Sequence, residues 1–243
     1  MAGGVVLLAL FVAIQASRRE PLVRLSIFRA PNLAAANVAQ LLLGAAWIPM
    51  WFFLNLCLQL VLGYGAFEGG AALLPMTVTI MVLMVLVAPK VIARFESKAP
   101  IVAGMLLLAV GLAGLSLVRP DGSFAVDVLP ASLIAAAGMS LAFIPSLGTA
   151  IQSARPEEGG LASGIVNTSY QVGSARPGGD HRARHQPGRR PARRPGRADG
   201  YSAAFLGAAG IAVAGALLAA VLLRVPKAAA EIASDSDREL IAA

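Results

Sequence analysis

Asn37, Gln40, Asn55 and Gln59 share one long apolar run, and at about 100° per residue they project near 0°, 300°, 0° and 40° of a helical wheel. Hydrocarbon penalises polar side chains, so a stripe of carboxamides must look toward protein or water rather than lipid. The chemistry these groups offer is hydrogen bonding. One use is amide bonding between packed helices, worth about 0.6–2 kcal/mol per contact. The other is one wall of a binding cavity, where Trp51 on the same side supplies an aromatic surface for a flat or cationic molecule. Gly44 lies on this side as well, and Pro49 in mid-run frees a backbone carbonyl and permits a bend.

A second polar stripe runs through Ser163, Asn167, Gln171 and Ser174, spaced by four, four and three residues. Gly160 and Gly164 add a small-residue face beside it, which favours close helix packing over ligand contact. Between 128 and 152, Gly138, Ser140, Pro145, Ser146 and Gly148 make a polar, bendable inner half. Conventional catalysis finds no footing here. GYGAFEGG has no following Lys-Ser/Thr and is not a phosphate loop, ASGIV is not G-x-S-x-G, and both histidines, His181 and His185, fall outside the apolar runs. Glu157 and Glu158 sit at an expected helix start, where they complement the helix dipole. Cys57 is the single cysteine, so no intramolecular disulfide forms; no enzyme activity, cofactor or metal is expected.

The elements that must position these residues follow from hydropathy. Of 243 residues 57% are apolar, and a mean hydropathy of +0.73 exceeds what a water-soluble domain can bury. Runs of about 18 or more apolar residues read as membrane spans. They occur near 32–62, 70–92, 99–118, 128–152 and 201–224, with a shorter one at 159–175 that stops at Arg176 and Pro177. The expectation is an all-α, multi-pass transmembrane helical bundle over 32–224. Before it come a short apolar run within 1–16, resembling the end of a preceding span, and a polar linker over 17–31; a polar tail follows at 225–243.

Short cytoplasmic loops carry the excess of Lys and Arg. With the interval 176–200 set aside, one set of alternate loops holds eleven such residues (among them Arg18, Arg24, Lys90, Arg94, Lys98 and Arg155), and the other holds Arg119 alone. The first set is therefore assigned to the cytoplasm and the protein to the cell (inner) membrane.

The interval 176–200 breaks this pattern: eight arginines against Asp180 and Asp199 lie on the outer side, and they account for +6 of the +7 net charge. Three readings compete: a basic loop holding anionic lipids or polyanions, an inert linker, or a segment translated out of frame. No aromatic residue for base stacking precedes Tyr201, so nucleic acid is not expected as a partner. The genetic code speaks for the third reading. With CGN arginine codons, a one-base slip near Ala175 turns Asp180 and His181 into Ile or Thr, converts each Arg codon to Val, Ala, Gly, Asp or Glu, and allows Leu at Pro177 and Pro187. The apolar run that stopped early then continues.

With spans and orientation placed, the chain resembles the C-terminal half of a major facilitator superfamily transporter of the fourteen-span EmrB/QacA drug:proton antiporter kind. The likeness rests on SRREPLVRLSIFRAPNL, LNLCLQLVLGYGAFEGGAALLP, APKVIARFESKAP and above all RPEEGGLASGIVNTSYQVGSA. It departs at Glu96, where the loop motif usually has Gly, at Cys57, where an aromatic is common, and at Tyr170, where a basic residue is frequent. The resemblance implies export of small amphipathic or cationic substrates in exchange for protons, by two halves that rock around a central path. It also implies a missing N-terminal transporter half carrying the proton-linked acidic groups, which leaves this chain an inactive fragment by itself. The apolar spans as delimited hold no buried Asp, Glu, Lys, Arg or His, Lys90 and Arg224 standing at span ends.

Overall fold

A computed structural model describes residues 32–60, 62–119, 123–175 and 196–223, together with six isolated positions before them. Among the described residues from 32 onward the main helices are α1 (Leu33–Leu60), α2 (Ala66–Arg94), α3 (Lys98–Leu115), α4 (Phe124–Ser153), α5 (Gly159–Ser174) and α6 (Gly196–Leu222). No strand occurs among the described residues. α1 to α4 and the Ser202–Leu222 part of α6 are long and apolar enough to cross a membrane. α5 has 16 residues, about 24 Å at 1.5 Å per residue, short of the ~30 Å hydrocarbon thickness.

Helix ends follow from local chemistry. Asn32, at φ 66°, turns the chain into α1, and α1 closes at Gly63, at φ 74°, with the Tyr64 N–H reaching back to the Leu58 carbonyl at 3.0 Å. α2 begins four residues before the apolar run at 70–92 because Glu68 accepts from the Gly65 N–H at 3.0 Å, which secures the first turn. Five-residue widened turns at Leu83–Val87 in α2 and Phe124–Val128 in α4 each stand just ahead of a proline, Pro89 and Pro130. In each, a backbone N–H, of Ala88 or Leu129, pairs five residues back. Between α3 and α4, Asp127 accepts from the Ser123 N–H at 2.9 Å and from Arg119 at 3.2 Å. Arg119 is thus paired within its own loop.

α4 packs against α1, α2, α3 and α5, while α6 closes the far side against α1 and α3. The α3–α4 pair is held at backbone distance: a Cβ built on Gly104 would stand 2.6 Å from Ala142 N, and one on Gly111 2.5 Å from Ala135 N. Gly138 answers from α4, its Cβ direction blocked by the Leu108 backbone. Leu43, Met50 and Leu54 of α1, Leu108 and Leu112 of α3 and Phe205 of α6 form the main core, with Phe53 edge-on to Phe205 at 6.4 Å. α2 enters this core mainly through Leu73 and Met76. Only 17% of its span is buried, against 56% for α4, and Val78, Met81, Val85 and Leu86 are exposed apolar groups that fit a lipid-facing or partner-facing position.

Residues 176–195 and 224–243 lie outside the described residues, as do most of 1–31. The readings of the Arg/Pro-rich segment, the linker and the tail therefore fall there, except that 196–200 are helical and open α6 ahead of the apolar run at 201–224.

Candidate functional site

The first half of the amide stripe on α1 enters the bundle. Gln40 is 1% exposed. Its Nε2 donates to the Phe143 carbonyl at 3.1 Å and to Ser146 Oγ at 2.9 Å, both on α4. A carbonyl can only accept, so the amide NH₂ must face α4, which leaves Oε1 as the free end of the group. Oε1 is buried and has no hydrogen-bond partner among the described residues. The α4 turn that receives Gln40 contains Pro145, whose missing N–H leaves the Leu141 carbonyl without its usual donor. Ser146 Oγ adds hydrogen bonds to the Ala142 and Phe143 carbonyls at 2.7 and 3.0 Å in the same turn.

α5 closes over this junction. Asn37 donates to the Leu33 carbonyl at 2.8 Å within α1, and its Oδ1 accepts from Ser169 Oγ of α5 at 2.8 Å. The α1 and α5 backbones touch at two glycines: Gly44 faces the Tyr170 carbonyl, and Gly173 faces the Leu41 carbonyl. Tyr170 stands edge-on to Phe143 at 5.5 Å. Between α1, α4 and α5 these residues leave a partly enclosed cavity of about 170 Å³. Leu147 and Val166 give it apolar walls, Phe143 and Tyr170 an aromatic one, and Gln40, Ser163 and Asn167 its polar groups. Gly164 completes the lining, and the space in front of its Cα is open.

Of the residues singled out from sequence, the fold thus gathers Gln40, Ser163 and Asn167 into one place and sets Asn37 one turn away. Trp51 is half-buried and packs on the core edge-on to Trp47 at 6.1 Å, away from the cavity. Asn55 and Gln59 bond to each other at 2.5 Å near the C-terminal end of α1. Gln171 is exposed, its backbone carbonyl accepting from Ser174 Oγ at 2.7 Å. The small-residue face works differently from its spacing: a Cβ on Gly160 or Gly164 would meet nothing within 4 Å, and the close approach of α5 is made by Gly173 instead. Sequence reasoning missed Phe143, Ser169 and Leu147; Pro145 and Ser146 had marked the right turn of α4, and Tyr170 had stood out as unusual. Among the described residues no group of three or more His, Cys, Asp or Glu could hold a metal.

Comparison with known proteins decides what kind of bundle this is. The family described as Major Facilitator Superfamily matches residues 2–175. The chain belongs to the Major Facilitator Superfamily. Members of this superfamily are transporters rather than enzymes, and the all-helical, multi-pass architecture agrees. Among similar superfamily proteins, the cephamycin export protein CmcT of Amycolatopsis lactamdurans is 33% identical over 176 residues, 72% of this chain and 36% of the relative. The tetracenomycin C resistance and export protein of Streptomyces glaucescens is 31% identical over 175 residues, 72% of this chain and 32% of the relative. The multidrug resistance protein Stp of Mycobacterium tuberculosis is 28% identical over 166 residues, 68% of this chain and 30% of the relative. The matched part of the chain thus spans about a third of the length of these superfamily relatives.

Proposed function

We propose that this bundle is one wall of an export path for small amphipathic or cationic molecules, and that it corresponds to the C-terminal half of a fourteen-span drug:proton antiporter in the cell (inner) membrane. The observation that carries the reading is the cavity between α1, α4 and α5, where buried Gln40 keeps an unused acceptor beside an aromatic pair. The names of the similar proteins, which concern cephamycin, tetracenomycin C and multiple drugs, support the substrate class. Proton coupling is assigned to the partner half, because no acidic residue lines this cavity. One wall does not make a path, so the chain is proposed to be inactive until a second helical bundle faces it.

Export in a drug-sensitive host tests this. The chain alone should give no resistance, and the chain coexpressed with the segment encoded immediately upstream should give it. Resistance from the chain alone would overturn the two-bundle reading, and no resistance from either would overturn the export reading.

The family match ends at residue 175, where the Arg/Pro-rich interval begins. That supports a one-base slip near Ala175. Resequencing should return an apolar shifted frame across 176–200; a clean read whose shifted frame holds stops or charges would sink this reading and leave the interval as a real basic loop.

A further inference from the structure

We infer that the groove between the start of α3 and the end of α6 holds one anionic phospholipid, with its phosphate among Lys90, Arg94 and Lys98 and an acyl chain along the two helices. The inference needs only a membrane-embedded bundle and goes beyond the export reading. The groove is open and has a volume of about 400 Å³. Phe95, Ala99 and Val102 wall it on one side and Ala220 of α6 on the other, while Glu96 and Lys98 supply its charged groups. Small side chains at Ala99 and Ala220 leave the space. Beneath it, Ile101 of α3 and Ala219 and Leu223 at the end of α6 pack with Ala35 and Ala39 of α1, so the bundle side is closed. Further into the span, Leu106, four residues after Val102, and Leu217, three before Ala220, are exposed. The apolar surface therefore continues from the groove along both helices.

Charge decides the occupant. Around the groove the chain carries Lys90, Arg94 and Lys98 against the one carboxylate of Glu96. Among the described residues only Arg119 and Asp127 form an ion pair, so no carboxylate there holds any of the three cations. The Arg94 guanidinium lies 5.8 Å from the centre of the Phe95 ring, which is itself a wall of the groove. Lys90 stands one helical turn before Arg94, on the same face. Lys98 opens α3 with no acidic residue in the first turn, so its charge opposes the helix dipole and does nothing for the helix. A bilayer already surrounds acyl chains with hydrocarbon, and an apolar groove alone selects no lipid. Cations above an apolar groove match a phosphate above an acyl chain. In the orientation expected from sequence, this end of the bundle meets the cytoplasmic leaflet, whose surface is anionic.

The test is native mass spectrometry of the full chain released from detergent, titrated with dioleoyl phosphatidylglycerol and with dioleoyl phosphatidylcholine. The first phosphatidylglycerol should bind about tenfold tighter than the first phosphatidylcholine. The triple variant Lys90→Gln, Arg94→Gln, Lys98→Gln should lose that preference. Arg189→Gln, Arg190→Gln, Arg193→Gln removes as much charge from the Arg/Pro-rich interval and should keep it. Ala99→Leu is the second arm: Ala99 is exposed, so the added bulk fills the groove without entering the core, and the preference should be lost although every charge is still present. Equal affinity for the two lipids in the unaltered chain, or a preference unchanged in the Lys90 triple variant or in Ala99→Leu, would overturn the inference. Loss in the Arg189 triple variant would do the same by giving the lipid to the interval. So would a preference that appears only once residues 225–243 are removed, which would assign the groove to the tail, or displacement of phosphatidylglycerol by an equal concentration of inorganic phosphate, which would leave only a surface anion site. None of these readouts depends on transport, so failure here leaves the export reading standing.

Discussion

Gln40 Nε2 on α1 donates to the backbone carbonyl of Phe143 on α4 at 3.1 Å, two residues before the proline that interrupts α4. A side chain from one helix thereby holds the turn that another helix's proline loosens. Helix-to-helix hydrogen bonds in membranes average only about 0.6 kcal/mol, and replacing Gln40 by an apolar group also removes the unmatched Oε1. Gln40→Leu should therefore shift unfolding stability by no more than about 1 kcal/mol, read by denaturant unfolding in detergent. A loss above about 3 kcal/mol would mean the amide is structural.

The bond between Ser169 Oγ and Asn37 Oδ1, 2.8 Å across α1 and α5, predicts a measurable coupling. A double-mutant cycle of Asn37→Ala and Ser169→Ala should return about 0.6 kcal/mol and no more than about 1.7 kcal/mol. Additive single effects would show that the two helices are held by their glycine contacts alone.

Glycines should divide by what stands in front of them. Gly111→Ala drives a methyl to 2.5 Å from Ala135 N and should cost about 1–3 kcal/mol. Gly210→Ala meets nothing within 4 Å and should be neutral or stabilising by up to about 1 kcal/mol, since Ala is the better helix former. Thermal unfolding of the two variants side by side checks the contrast; equal effects would contradict the α3–α4 seam.

Glu96 adopts φ 27°, on the side of the backbone map that favours glycine. Glu96→Gly should relieve that strain and raise stability by about 0.5–1 kcal/mol, the gain being trimmed because glycine also loosens the unfolded chain. A lower midpoint in thermal unfolding would refute it. The resemblance drawn from sequence implied Gly at this position, and a backbone at φ 27° would suit one.

The spans were readable because membrane crossing imposes a length of apolar chain that no other demand imitates. The site was readable only in part. A helical wheel places Asn37, Gln40, Asn55 and Gln59 together, but the four-residue spacing that puts Asn55 and Gln59 on one stripe also lets them satisfy each other at 2.5 Å. Wheels carry no information about which neighbour is near: Trp51, on the same side of the wheel, stands half-buried against Trp47 and the core. Phe143 and Tyr170 were hidden for the opposite reason, since aromatic residues in an apolar run look like ordinary core until α4 and α5 are seen to converge on Gln40. Likewise Gly160 and Gly164 had the spacing for close contact, but the crossing point of α5 over α1 falls nearer Gly173.

The glycine seam between α3 and α4 leaves main chain against main chain, without flexible groups that could rearrange if one rod slipped along the other. Such a pair behaves as a stiff double strut. Any pivoting of this bundle against a neighbour must then be absorbed elsewhere, and α2 is the member free to yield, with its widened turn ahead of Pro89 and its thin attachment to the rest.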